Sequence, residues 1–132
     1  MSHAHDLLRL RAELKAEAIK VFADVDVKHS AALAERAIID EVDDTLHRGL
    51  ADALIVSGAG TGKATDPEKV RIVKSAAKSA AVFLGSGVTP KSLPQLAQHA
   101  DGFIVGTYFK KDGISTNPVD PQRVRDLMGL AK

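Results

Sequence analysis

The stretch Ala81-Val82-Phe83-Leu84-Gly85-Ser86-Gly87 decides the fold, because in it a short apolar run passes directly into a glycine-rich turn. Two further runs repeat this pattern: residues 53–56 lead into the loop 57–63, and residues 103–105 lead into Gly106 and Thr107. Apolar strands that lack strict alternation and are joined by helices are typical of a parallel sheet covered on both faces. The sequence therefore predicts an α/β fold.

Helical segments separate these strands. Apolar residues recur at helical spacing over residues 6–18, 31–48, 67–78 and 93–97, and again after Pro121. The start of the 93–97 helix is open between a cap at Thr89 and a cap at Ser92. A β-branched run at residues 21–27 provides the first strand. A lead-in helix followed by four βα units predicts one (βα)4 domain over residues 1–132, either half of a TIM barrel or an open sheet.

Composition limits the classes of function. The chain has 132 residues, about half of a typical ~250-residue (β/α)8 barrel, and its 18 Lys plus Arg against 17 Asp plus Glu give no charge excess for nucleic acid. The absence of cysteine excludes disulfides and thiolate metal sites and fits a cytoplasmic location. No apolar run approaches the ~20 residues of a membrane span, so we expect a soluble protein. We assign no residues to a metal or a cofactor.

The glycine-rich turns after the last two strands are candidate phosphate-binding loops. The residues concerned are Gly85, Ser86, Gly87, Gly106 and Thr107. Backbone N–H groups beside a helix amino terminus bind anions, and loops after late barrel strands are the usual phosphate position of that fold. We therefore expect inorganic phosphate or a phosphorylated small molecule here. The alternative is that the glycines only permit tight strand-to-helix turns.

The loop after the second strand is a candidate substrate loop. Its candidate residues are Ser57, Gly58, Thr61, Gly62 and Lys63. A nucleotide P-loop would need glycine at position 57 and Ser or Thr at position 64, where this chain has Ser57 and Ala64. We therefore expect a mobile loop that contacts substrate, with Lys63 pairing an anion, and the alternative is a flexible connection.

Charged residues alternate with aliphatic ones along the first strand. Phe22, Asp24, Asp26 and Lys28 share one face by the two-residue period of a strand, and helices are expected to cover the other face. Asp26 and Lys28 lie nearest the carboxyl end of the strand, so they are the candidate catalytic pair. Lys28 would act as an electrophilic or anion-binding group, and Asp26 would tune the protonation of Lys28, act as acid or base, or bind a metal. The alternative is an internal layer of salt bridges.

Two aspartates precede strands in matching contexts, Ala51-Asp52-Ala53 and Ala100-Asp101-Gly102. The amino-terminal face of a barrel carries residues that contribute to stability. We therefore expect Asp52 and Asp101 to stabilise the fold.

Several of these motifs, taken in order, resemble the BtpA/SgcQ family. They are Val25-Asp26-Val27-Lys28-His29, Arg48-Gly49-Leu50-Ala51-Asp52-Ala53, Val56-Ser57-Gly58 with Thr61-Gly62, Gly85-Ser86-Gly87-Val88-Thr89, Val105-Gly106-Thr107 with Phe109-Lys110, and Asn117-Pro118-Val119-Asp120. The resemblance implies a barrel like the ribulose-phosphate-binding barrels, with phosphate in its late-strand loops. The family includes a cyanobacterial factor for photosystem I accumulation, and its members also occur without photosynthesis.

The resemblance also implies that this chain is the carboxyl-terminal half of a family member, with strands five to eight of the barrel. A half-barrel exposes two strand edges and an apolar face, which two copies related by a two-fold axis would cover by closing an eight-stranded barrel. We therefore expect a homodimer. The functional expectation is a phosphate-ligand-binding half-barrel, and the sequence leaves open whether it is also an enzyme that acts on a phosphorylated sugar or nucleoside. The alternatives are a noncatalytic assembly factor and an excised or engineered half-barrel without activity of its own.

Overall fold

The computed structural model describes residues 3–25, 32–58 and 64–131. Four strands form one parallel sheet in chain order, β1-β2-β3-β4. The strands are β1 (Phe22–Asp24), β2 (Ala53–Val56), β3 (Ala81–Leu84) and β4 (Gly102–Phe103). Each parallel connection between them carries a helix, which confirms the α/β class.

Five α-helices accompany the sheet, with a π-helical turn after the second helix and two 3-10 turns after β4. The helices are α1 (Ala4–Glu13), α2 (Ala32–Asp43), α3 (Pro67–Ala77), α4 (Leu93–Leu96) and α5 (Pro121–Leu130). The turns are Asp44–Arg48, Thr107–Phe109 and Lys111–Gly113. Helices α3 and α5 begin as predicted, with Asp66 accepting from the Glu68 N–H and Asp120 from the Gln122 N–H, both at 2.9 Å.

One face of the sheet is covered by helices. Its side chains form the core with the inner faces of α2, α3, α4 and α5, and the fully buried members include Val25, Leu54, Val56, Val82 and Leu84. These strand residues alternate with more accessible ones, as the two-residue period of a strand requires. The aliphatic side of the first strand therefore faces the helices, as predicted.

The other face of the sheet is open, contrary to the expectation of a sheet covered on both sides. Phe22 is 48% exposed and Ile104 46% exposed, and Asp24 is exposed beside them. The Phe22 and Phe83 rings stack on this face with centroids 5.0 Å apart. We call this surface the open face.

Several predicted element bounds were wrong. The lead-in helix ends at Glu13 instead of residue 18, because Lys15 takes a left-handed conformation at φ 53°. The predicted 31–48 helix changes to π-helical hydrogen bonding at Asp44. The helix near residue 93 begins at Leu93, and Ser92 before it makes no side-chain cap hydrogen bond. The capping contact is made by Thr89, whose hydroxyl accepts from the Ser92 N–H at 3.3 Å.

The bounds of the first and last strands also differ from the prediction. In the described part of the chain the first strand spans Phe22–Asp24, and the Val25 N–H still donates to the Ile55 carbonyl at 2.9 Å; positions 26 and 27 of the predicted strand lie outside the described residues. The last strand spans Gly102–Phe103 instead of residues 103–105, although the Ile104 N–H donates to the Leu84 carbonyl at 2.7 Å. Both are edge strands with one neighbour each, so their ladders have fewer hydrogen bonds.

Two aspartates fasten the amino-terminal edge of the sheet by the same pattern. Asp52 exchanges two hydrogen bonds with Val21, carboxylate to N–H and N–H to carbonyl, both at 2.8 Å, and Asp101 does the same with Val82 at 2.7 and 2.8 Å. The backbone N–H of Val21 lowers the pKa of Asp52, and the ammonium of Lys74, at 2.6 Å, lowers the pKa of Asp101. These contacts support a stabilising role for both aspartates.

Candidate functional site

A cavity of about 350 Å³ lies at the carboxyl edge of the sheet, between the turn after β3 and the turn after β4. All five predicted phosphate-binding residues line it: Gly85, Ser86, Gly87, Gly106 and Thr107. Parallel strands bring their carboxyl ends to one edge, which is why turns 20 residues apart in sequence meet here. The structure therefore brings this predicted group together.

Hydrogen bonds fix the turn after β3. Gly87 has φ +70°, a left-handed conformation that favours glycine. The Ser92 hydroxyl donates to the Gly87 carbonyl at 3.2 Å and accepts from the Thr89 N–H at 3.0 Å. The loop that borders the cavity is thus held by its own side chains before any ligand binds.

The two glycines that end β3 and follow β4 differ in their packing. A Cβ on Gly85 would lie 2.7 Å from the Ser57 Oγ and 2.8 Å from the Ile55 Cγ2, so close packing explains this glycine. A Cβ on Gly106 would meet no atom of the described chain within 4 Å, and its φ of −118° is outside the left-handed region that favours glycine. Packing among the described residues therefore does not require glycine at position 106, where the backbone borders the open cavity.

Arg123 brings a positive charge to the cavity, and the sequence prediction missed it. Its Nε donates to the Tyr108 carbonyl at 2.5 Å, and its guanidinium carbon lies 4.3 Å from the centre of the Tyr108 ring. No Asp or Glu is found among the described residues that line the cavity. One sequence signal was available: Arg123 stands in the first turn of α5, where the helix dipole disfavours a cation.

The first two residues of the predicted substrate loop make hydrogen bonds to Ser86 and to Asp24. The Gly58 N–H donates to the Ser86 Oγ at 2.8 Å, and the Ser57 hydroxyl donates to the Asp24 Oδ1 at 3.1 Å. The buried Thr65, at the other end of the loop, donates to the Ser86 carbonyl at 3.4 Å. Ser86 is therefore the point where this loop meets the turn after β3.

The remaining predicted site residues lie outside the described part of the chain. They are Asp26 and Lys28, predicted as the catalytic pair, and Thr61, Gly62 and Lys63 of the substrate loop. Within the described ranges no three His, Cys, Asp or Glu side chains are grouped so as to hold a metal ion. No helix in those ranges is both long and apolar enough to span a bilayer.

The fold and the cavity define a class: an α/β protein with a parallel sheet and a glycine-lined, arginine-bearing cavity at its carboxyl edge. The chain belongs to the BtpA family, which its sequence matches over residues 1–132. This confirms the family to which the sequence motifs pointed.

Three relatives show how much of a family member the chain covers. It is 46% identical over 129 residues to an uncharacterized protein of Thermococcus kodakarensis, covering 98% of this chain and 48% of the relative. It is 41% identical over 122 residues to the photosystem I biogenesis protein BtpA of Synechocystis, covering 92% and 42%. An uncharacterized mitochondrial protein of Caenorhabditis elegans is 36% identical over 127 residues, covering 95% and 45%. The chain thus spans about half the length of the curated relatives it matches.

A solved structure has the same fold. The chitinase domain of the spore coat protein CotE from Clostridium difficile superposes with a TM-score of 0.55 over 96% of this chain and 49% of that one. The sequence identity is 12%, so the likeness concerns the fold alone.

Proposed function

We propose that this chain binds the phosphate group of a small molecule in the cavity at the carboxyl edge of its sheet. One observation carries the proposal: the five residues predicted to bind phosphate through their backbone line one cavity together with Arg123. The described residues that line this cavity include no Asp or Glu. Backbone N–H groups and a guanidinium together bind phosphate, the amides by hydrogen bonds and the arginine by charge. Gly106 supports this, because no described side chain occupies the space beside it.

Isothermal titration with inorganic phosphate tests this proposal. Gly106→Asp places a carboxylate in the space beside Gly106, where its Cβ would meet no described atom within 4 Å, and like charges about 4 Å apart near a protein surface repel by roughly 4 kcal/mol. We expect wild type to bind, Gly106→Asp to lose at least about tenfold in affinity, and the nearly isosteric Gly106→Asn to retain most of it. No binding by wild type, or equal binding by all three proteins, would contradict the proposal.

We also propose that the chain is half of a barrel and that two copies close it. Its strands run in chain order and the relatives are about twice as long, as a half-barrel requires. β1 and β4 are edges with one neighbour each, and Phe22 and Ile104 are exposed on the open face. Because all strands are parallel, a two-fold axis along the barrel would pair β4 of each copy with β1 of the other.

We further propose that the chain, when it binds a phosphorylated sugar or nucleoside, acts on it as an enzyme. Asp26 and Lys28 would follow β1 at the carboxyl edge, where barrel enzymes carry their reacting groups. In this proposal Lys28 binds an anion and Asp26 transfers a proton. Turnover of any phosphorylated substrate that Lys28→Met abolishes would support it.

The name of one relative supports a second candidate function. The photosystem I biogenesis protein BtpA of Synechocystis is 41% identical to this chain, which supports a noncatalytic role in assembling a protein complex. Such a role predicts that a specific protein partner binds equally well to wild type and to Gly106→Asp. A third candidate is a half-barrel without activity of its own, which would bind neither phosphate nor a partner.

A further inference from the structure

Asp24 stands on the open face at the carboxyl end of β1. In the sheet register Asp24 pairs with Ile55, which pairs with Phe83, so these side chains form one row across three strands. The Ser57 hydroxyl, one residue beyond β2, donates to the Asp24 carboxylate at 3.1 Å. Asp24 is exposed, so its carboxylate is available to a ligand on this face.

Ser57 lies between this carboxylate and Gly85. A Cβ on Gly85, which lines the cavity, would lie 2.7 Å from the Ser57 Oγ. Asp24 is therefore one hydrogen bond from a side chain that lies close to Gly85 of the cavity lining. Asp24 ends β1 and Gly85 follows β3, and these strands are two places apart in the sheet, a separation of about 10 Å from two strand spacings.

The surface near Asp24 is apolar. The Phe22 and Phe83 rings stack there at 5.0 Å, and Ile104 lies on the cavity side. An apolar surface with a carboxylate at one end suits a carbon skeleton that carries hydroxyl groups, because the carbon atoms pack on the rings and the hydroxyls donate to the carboxylate.

We propose that Asp24, positioned by Ser57, binds a hydroxyl group of the ligand whose phosphate occupies the cavity. The inference rests on the proposed phosphate function and narrows the ligand to the monophosphate of a neutral sugar or polyol. A second phosphate or a carboxylate at that end would meet the negative charge of Asp24 and be repelled.

Calorimetric titration of the full chain with inorganic phosphate and with ribose 5-phosphate separates the two proposals. We expect wild type to bind ribose 5-phosphate about tenfold more tightly than phosphate, as one hydrogen bond to a charged group provides. Asp24→Asn should lose that difference and keep its phosphate affinity. Asp40→Asn, which removes an exposed carboxylate from α2, is the matched control and should behave as wild type.

Ser57→Ala provides a second variant, which keeps the carboxylate of Asp24 but removes its hydrogen bond. We expect it to lose part of the preference for ribose 5-phosphate. If wild type binds phosphate without any preference for ribose 5-phosphate, or if Asp24→Asn keeps the preference, this inference is overturned and the phosphate proposal stands. If wild type does not bind phosphate, the phosphate proposal fails and the role of Asp24 fails with it.

Discussion

The Gly58 N–H donates to the Ser86 hydroxyl oxygen across 2.8 Å, which joins the residues that follow β2 and β3. The two residues are 28 positions apart in sequence and meet because both follow strands of one parallel sheet. Ser86 lines the cavity, so this bond couples the predicted substrate loop to the predicted phosphate loop.

Ser86→Ala should loosen this junction. The partly buried Gly58 N–H loses its acceptor, so we expect the free energy of unfolding to fall by about 1 kcal/mol. Hydrogen exchange at the Gly58 amide should quicken, because its N–H is no longer bonded. Denaturant unfolding and exchange measure both effects, and Ser86→Thr, which keeps the hydroxyl, is the control. Unchanged exchange at Gly58 in Ser86→Ala would show that this bond does not hold the loop.

Two glycine-to-alanine substitutions should act in opposite directions. A Cβ on Gly102 would overlap the Phe83 ring, 2.6 Å from its Cδ1, so we expect Gly102→Ala to lower the stability by about 1–3 kcal/mol. A Cβ on Gly129, inside α5, would meet no described atom within 4 Å, so Gly129→Ala should raise stability by about 0.5–1 kcal/mol through helix propensity. Chemical denaturation of both variants measures these changes. A lower free energy of unfolding for Gly129→Ala would contradict the open space beside Gly129.

Asp101 should make stability depend on pH. Lys74 and the Val82 N–H hold the pKa of Asp101 below its ordinary value when the chain is folded. The ionised Asp101 carboxylate therefore contributes fully to the free energy of unfolding above its unfolded-state pKa, about 3.9. This contribution is lost as the pH falls through the lower folded-state pKa. Because the carboxylate is 40% exposed, we expect about 1 kcal/mol at neutral pH.

Unfolding of wild type and Asp101→Asn from pH 7 down to about pH 2 measures this contribution. The two stabilities should differ at neutral pH and converge in acid. Asp126→Asn, which alters an exposed carboxylate on α5, serves as the control. A difference that is constant over the whole range would rule out the linkage.

The native mass in solution tests the proposed dimer. Light scattering on a sizing column should give twice the 14.0 kDa of one chain. Phe22→Glu places a charge on the open face and should shift the mass to that of one chain, whereas Ile39→Glu, an equally exposed position on α2, should not. A wild-type mass of 14.0 kDa at all concentrations would contradict closure by a second copy.

Much of this fold was predictable because its signals are local. The bounds of β2 and β3 agree with the apolar runs, and Asp66 and Asp120 cap their helices as their position before proline indicates. The ends of β1 and β4 were not predictable, since edge strands depend on which neighbour is present. The π-helical turn at Asp44–Arg48 also lacks a local sequence signal.

The part of the site formed by backbone in the glycine-rich turns was predictable from the sequence. The side chain that comes from a distant helix, Arg123, was not. Five glycine-turn residues converge because strand ends of a parallel sheet must meet. Arg123 joins them from α5, 17 residues after Gly106, through contacts with Tyr108 that only the folded chain provides. The helix dipole was the one available hint, and its size, about 0.3–1 kcal/mol, is too small to single out a residue.

The most direct test of the phosphate proposal is a titration of ¹⁵N-labelled protein with inorganic phosphate, followed by amide chemical shifts. The account predicts saturable shifts concentrated at Gly87, Gly106 and Thr107, with the side-chain Nε of Arg123 shifting in parallel. Potassium chloride at equal ionic strength should leave these signals in place. Shifts that do not saturate, or that fall on residues away from the cavity, would contradict the assignment of this cavity to phosphate.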